Sequence, residues 1–236
     1  VLTDRVGTWD DLWTAIRRDV PDGPARLAPA GVRAVLIEAI AWARRDGVLS
    51  VLEPLAERVG LRRQLTRQFA MWTRAGVDPE QSPAPGRPAV EVAARSIYRR
   101  YRALLKRIES EDADGFAAWA ARTLADRPPA SWRERDSVVV LEPPAEDRAV
   151  WTAIEALGAR CRSLLVVLPW DPDVPEAFRP IAARRDELRE RGYADIACPP
   201  AGDRPLGLAA IERELFRDPD AARSCLEQTA GLVLRR

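Results

Sequence analysis

The side chains able to do chemistry in this chain are mostly arginines, with a few carboxylates. Arg95, Arg99, Arg102 and Lys106 recur at steps of four, three and four. On a helix that spacing lines up four cations, and such a row can lie along phosphates, each contact making binding salt-dependent. Arg100 and Arg107 widen this face, and Arg62, Arg63, Arg67 and Arg74 form a second one. The plainer reading of both is a solvated surface whose cations pair with acids, for the first row Glu91, Glu109 and Glu111. The residues alone favour that plainer reading. Asp171 and Asp173 follow an apolar run, at the edge where open α/β sheets bind ligands, and two acids one residue apart could ligate Mg²⁺. Prolines on both sides make a turn, with Asp173 capping a helix that begins at Pro175, the favoured reading. Glu142, in Leu-Glu-Pro-Pro, reads as a residual metal ligand or, more simply, a loop acid. Of the eight tryptophans, Trp170 stands at a strand end and could stack on a base. Trp72, Trp119 and Trp151 fall on or beside apolar helix faces and read as core.

What is missing narrows the chemistry further. Histidine is absent, and Lys106 is the only lysine among 37 basic residues. Ser-His-Asp and Cys-His catalysis and His-ligated zinc are therefore excluded. Lys106 lies in Leu-Leu-Lys-Arg with no glycine nearby, so this segment holds no phosphate-binding P-loop. Leu104 stands where an E-x-K nuclease centre needs its acid. No cofactor is expected. The preference for arginine over lysine fits GC-rich coding and carries no function. A net charge of +1 argues against a dedicated polyanion binder but leaves local patches open.

Cys161, Cys198 and Cys225 are odd in number and form no C-x-x-C, which suits free thiols in a reducing cytoplasm. No apolar run reaches the roughly 18 residues of a membrane span, and no signal peptide is present. The ends, Val1 and Arg235-Arg236, look like cuts in a longer polypeptide.

These side chains need elements to position them. Thr8 caps an expected helix over Trp9–Asp19, with Asp10 and Asp11 in its first turn. Pro29 opens a second helix that ends near Gly47, and a short one covers Val51–Arg58. A third full helix runs Leu61–Ala75 and stops at Gly76. Residues 77–88 are proline-rich and extended. The long helix Ala89–Ser110 carries an apolar seam at Ala94, Ile97, Tyr101, Leu104 and Ile108, and another helix spans Asp114–Asp126.

The pattern then changes to short apolar runs, Ser137–Leu141, Leu164–Leu168 and a weaker Ala194–Cys198. Helices over Glu146–Arg160 and Pro175–Arg191 separate them. Strands alternating with helices at this spacing predict parallel pairing, and unbroken apolar runs predict strands covered on both faces. Helices near Leu206–Phe216 and Asp220–Gln228, and a last strand at Gly231–Leu234, complete the expectation.

Three stretches carry a resemblance. They are Val1-Leu2-Thr3 with Thr8-Trp9-Asp10-Asp11-Leu12, then Gly60–Leu65 through Trp72–Glu80, and finally Val138–Leu141, a helix, and Leu165-Val166-Val167-Leu168-Pro169-Trp170-Asp171-Pro172-Asp173. In their order and spacing they resemble the N-terminal helicase-like region of the bacterial ATP-dependent helicase–nuclease family of the AddB/RexB type. Members of that family are repair proteins with a C-terminal PD-(D/E)XK nuclease. The resemblance spans most of the chain.

It implies an α/β fold, a P-loop-helicase-like parallel sheet with crossover helices, interrupted by a large all-helical insertion. Residues 1–7 would be the edge of the α/β domain, 8–130 the insertion and 131–236 the rest of the helicase-like core. It also implies what is lost. Leu141 and Glu142 stand where active helicases end a strand in Asp-Glu to hold Mg²⁺, and leucine cannot ligate a metal. The stretch around Asp171 and Asp173 lacks the glutamine of the γ-phosphate sensor.

The expected function is a non-catalytic scaffold and DNA-contacting segment of a protein acting at double-strand breaks. DNA, the remainder of the polypeptide and a helicase partner protein would be its partners, and a membrane would not. The resemblance brings the DNA reading of the basic faces level with the solvated one. Two alternatives from other classes stand beside it. A Rossmann-type nucleotide-binding protein or enzyme is disfavoured, because no strand leads into a Gly-rich turn. The other is a protein-interaction scaffold with no nucleic-acid role.

Overall fold

The structure, a computed structural model, describes residues 7–81, 84–127, 137–169 and 175–194. The expected edge strand at the amino terminus, all of the weak strand Ala194–Cys198 except its first residue, and the elements after it lie outside the described residues. So do Trp170, Asp171 and Asp173. The chain divides into two compact units, residues 1–166 and 167–236.

The first unit opens with α1, Trp9–Asp19. Its start is a capping box: the Asp11 backbone N–H donates to Thr8 Oγ1, and the Thr8 backbone N–H donates to Asp11 Oδ2 at 2.8 Å. Next come α2, Pro29–Arg45, and α3, Val59–Arg74, joined through a 3-10 turn at Ser50–Leu55. The short helix expected there is this tighter turn, and Pro54, which lacks an N–H, lies inside it.

Both long helices end in a glycine of positive φ, Gly47 at +67° and Gly76 at +68°. After α3 the Val77 N–H donates to the Trp72 carbonyl at 2.8 Å and the Gly76 N–H to Thr73 at 3.0 Å. After α2 the Val48 and Gly47 N–H groups make the matching bonds to Ala43 and Arg44. Each pair satisfies carbonyls that the helix end would orphan.

The long helix α4 spans Ala89–Arg107, shorter than its apolar seam predicts. The chain turns at Glu109, φ +49°, and enters a two-residue strand, β2, Ser110–Glu111. This pairs in parallel with β1, Ala25–Arg26. Helix α5, Ala113–Asp126, is capped by Asp112, whose Oδ1 accepts the Gly115 N–H at 2.7 Å.

One cluster joins α2, α3 and α4: Leu36, Ile40, Leu65, Phe69, Ile97, Tyr98, Tyr101 and Leu105 are all buried in it. Burial of this kind contributes about 1.5–3 kcal/mol per large apolar side chain. Helix α1 packs on α5, and α5 packs on α6, Arg148–Gly158. Trp151 on α6 is buried and donates its indole N–H to the Pro144 carbonyl at 2.9 Å.

Strands β3, Ser137–Leu141, and β4, Ser163–Val167, flank α6 and pair in parallel. Mixed helix and strand with parallel pairing is thus present, as the alternating pattern predicts. Coverage of both strand faces is not found among the described residues. Val140 is buried and Val138, Leu164 and Val166 are half-buried, while Val139, Leu141, Leu165 and Val167 are exposed. An unbroken apolar run shows that both faces avoid polar groups, but it does not supply a second covering layer. In the second unit a 3-10 turn, Pro175–Phe178, leads into α7, Arg179–Glu190, where the sequence predicts one continuous helix. Pro180 in the first turn of α7 marks where the α-helix starts.

Candidate nucleic-acid interface

The four cations of the α4 row have different surroundings. Arg102 is mostly buried and forms a bidentate pair with Glu111, at 2.7 and 2.9 Å. Burial works to lower its pKa, but the Glu111 carboxylate outweighs that, and the value ends raised. Arg95 lies 3.7 Å from Glu91 and its guanidinium sits 4.8 Å from the Trp72 ring centroid. Arg99 and Lys106 are exposed and pair with no acid among the described residues. Lys106 shares a shallow depression with Glu80, Glu109 and Glu111, so its surroundings are acidic. Arg100, placed by the sequence on the edge of this face, points inward. It pairs with Asp46, donates to the Ser96 carbonyl and lies over Trp42.

The second basic face is different. Helices α2 and α3 border a groove of about 1170 Å³. Its floor is Leu36, Phe69 and Tyr101, all buried. Arg33 on α2 and Arg62, Arg63 and Arg67 on α3 line it. Arg62 donates to the Glu57 carbonyl at 3.0 Å, and Arg33, Arg63 and Arg67 are exposed with no carboxylate partner among the described residues. Arg74, the fourth residue of the predicted face, is withdrawn from it by an ion pair with Asp114 at 2.8 Å.

The helix ends reinforce the charge. Acids cap α5 and α6, α1 has Asp10 and Asp11 in its first turn, and α4 has Glu91 in its first turn. Neither α2 nor α3 has a side-chain cap or a first-turn acid. Both of these uncapped N-terminal ends contribute to the groove, through Pro29 and Val59. Their unneutralised backbone N–H groups add positive potential to that of the arginines.

At its other end the groove reaches Asp112 and Asp114. Tyr101 donates its hydroxyl to Asp112 at 2.8 Å, and burial, the adjacent carboxylate and this bond hold the phenol well above its ordinary pKa. Burial also raises the Asp114 pKa, although Arg74 opposes it. Asp114 is ion-paired with Arg74, whereas Asp112 is bonded to neutral donors and keeps its charge, so the balance of the groove is one carboxylate against Arg33, Arg62, Arg63 and Arg67, and is positive. Arg33 and the uncapped helix ends were not legible as part of a site, because nothing in the sequence says which helix faces border an open groove.

The other predicted positions are simpler. Leu141 is 67 % exposed at the end of β3, and Glu142 follows in the left-handed region at φ +47°, exposed and with no acid next to it in the sequence. Among the described residues no group of three His, Cys, Asp or Glu side chains could hold a metal ion. Cys161 is half-buried, and no described helix is long and apolar enough to cross a membrane. No protein-family model matches the chain, and no curated protein matches it.

Proposed function

We propose that this chain is a DNA-contacting scaffold, a non-catalytic helicase-like segment of a repair helicase–nuclease-type protein. The observation that carries the DNA contact is the cluster of unpaired arginines, Arg33, Arg63 and Arg67, along the α2–α3 groove. A cation held on a helix without a carboxylate partner keeps its full charge for a phosphate. Arg62, bonded to a neutral backbone carbonyl, extends the row. The resemblance of the three sequence stretches supplies the helicase–nuclease context, and the strand-helix-strand unit β3–α6–β4 is compatible with it. The Leu141-Glu142 end of β3, with one acid and buried Pro143 after it, supports a segment without ATPase chemistry.

Duplex or forked DNA labelled with a fluorophore and titrated with the full chain tests this reading. Binding at low salt that weakens steeply as salt rises is the expected result. No measurable binding at low salt overturns the DNA role, and nucleotide binding by the chain would favour the Rossmann-type alternative instead.

A further inference from the structure

The groove is basic, but it is also apolar in a way that phosphates do not use. Ile37 is 46 % exposed and Val59 is 56 % exposed, and both line it. They stand beside Arg33, Arg63 and Arg67, above the buried floor of Leu36 and Phe69. A phosphate backbone held by the arginines would leave those apolar side chains in water. The volume, about 1170 Å³, lies above the roughly 300–1,000 Å³ of small-molecule sites, and the lining runs along α2 from Pro29 to Ile37 and along α3 from Val59 to Ala70. An elongated partner fits it better than a compact ligand.

We propose that an acidic amphipathic helix of a partner protein docks in this groove and excludes DNA from the arginines it covers. The proposal rests on the reading above that these arginines contact DNA. Charge complementarity selects the occupant. An amphipathic helix lays apolar anchors at three- and four-residue spacing into a groove, here onto Ile37, Val59 and the floor. Glutamates flanking those anchors meet Arg33, Arg63 and Arg67, and guanidinium groups hold carboxylates through two parallel hydrogen bonds. The uncapped N-termini of α2 and α3 favour the same sign of charge. A basic helix would face Arg33, Arg62, Arg63 and Arg67, with Arg26 paired to Asp10 and Asp112 the one unpaired carboxylate of the lining, and would be repelled. Covering the groove thus neutralises the charge DNA would use and buries the apolar surface DNA would leave bare.

The probe is a labelled peptide of about 18 residues, roughly 27 Å long as a helix, with leucine on one face and glutamate elsewhere. A second peptide carries glutamine in place of glutamate. Each is titrated with the full chain, alone and against labelled duplex DNA. Two variants separate the contributions: Ile37→Ser with Val59→Ser, and Arg63→Ala with Arg67→Ala. All four side chains are exposed, so their loss should leave the fold intact, and circular dichroism of each variant checks this. The acidic peptide is expected to bind, to displace DNA, and to bind more tightly than the glutamine peptide. The Ile37/Val59 variant is expected to bind the peptide about tenfold more weakly, a loss of about 1.4 kcal/mol, with DNA affinity unchanged. The arginine variant is expected to lose both.

Absence of peptide binding, or simultaneous binding of peptide and DNA, overturns the inference while DNA binding by the wild type leaves the DNA reading standing. Equal loss of DNA affinity in both variants also overturns it, since the apolar wall would then serve nucleic acid. Peptide binding with no DNA binding overturns the DNA reading, and the exclusion falls with it.

Discussion

Arginines that look alike in sequence separate into two kinds once their partners are known. Arg100 sits next to exposed Arg99, yet it is buried against Asp46, which lies 54 residues away. Arg100→Ala should destabilise the fold by about 1–2 kcal/mol, because half-exposed Asp46 recovers part of its hydration. Arg99→Ala should change stability by less than about 0.5 kcal/mol. Urea denaturation of the two variants reads the difference. Helical spacing made the rows visible, but it could not show which cations meet a distant carboxylate, so Arg95, Arg102 and Arg74 were indistinguishable from Arg63 and Arg67.

The Thr8–Asp11 box, in contrast, is local and fully legible. Its hydrogen bonds from Thr8 lower the Asp11 pKa below the ordinary 3.8. A depressed carboxyl favours the fold above the unfolded value and loses that contribution as pH falls through the folded one. Asp11→Asn should therefore flatten the acid limb of the stability profile near and below pH 3.8. An unchanged acid limb would contradict this assignment.

At the scale of elements, terminators and caps were readable because their chemistry is local. Gly76 is a stop that the sequence already marks, and its positive φ with the two closing hydrogen bonds explains why. Gly76→Ala should cost about 1 kcal/mol from the left-handed backbone alone. It should cost more in practice, since a Cβ there would approach the Arg148 side chain to 2.6 Å. Thermal melts of Gly76→Ala and of Arg148→Ala/Gly76→Ala separate the two contributions.

The β1–β2 pair was invisible, because two residues per strand carry no periodicity. It nonetheless ties the start of α2 to the start of α5, and so sets one end of the groove. Strands β3 and β4 were located to within a residue, but an apolar run does not reveal that Val139, Leu141, Leu165 and Val167 are exposed. The groove itself depends on how α2 and α3 are set against each other, which no local pattern encodes.

For the molecule as a whole, near-neutral net charge conceals an uneven surface. Most described arginines are spent on carboxylates or backbone carbonyls, as at Arg17, Arg44, Arg74, Arg100 and Arg160. The unpaired ones on α2 and α3 collect around one trough. The DNA account thus makes a local claim, that affinity resides in that trough and not in total charge. Its sharpest check is the slope of log affinity against log salt for duplex DNA, compared between the wild-type chain and Arg63→Ala/Arg67→Ala. Each lost phosphate contact should reduce the slope by about 0.9, so the double variant should bind more weakly at every salt concentration with a slope shallower by about two. Identical affinity and slope in the two proteins would contradict the account.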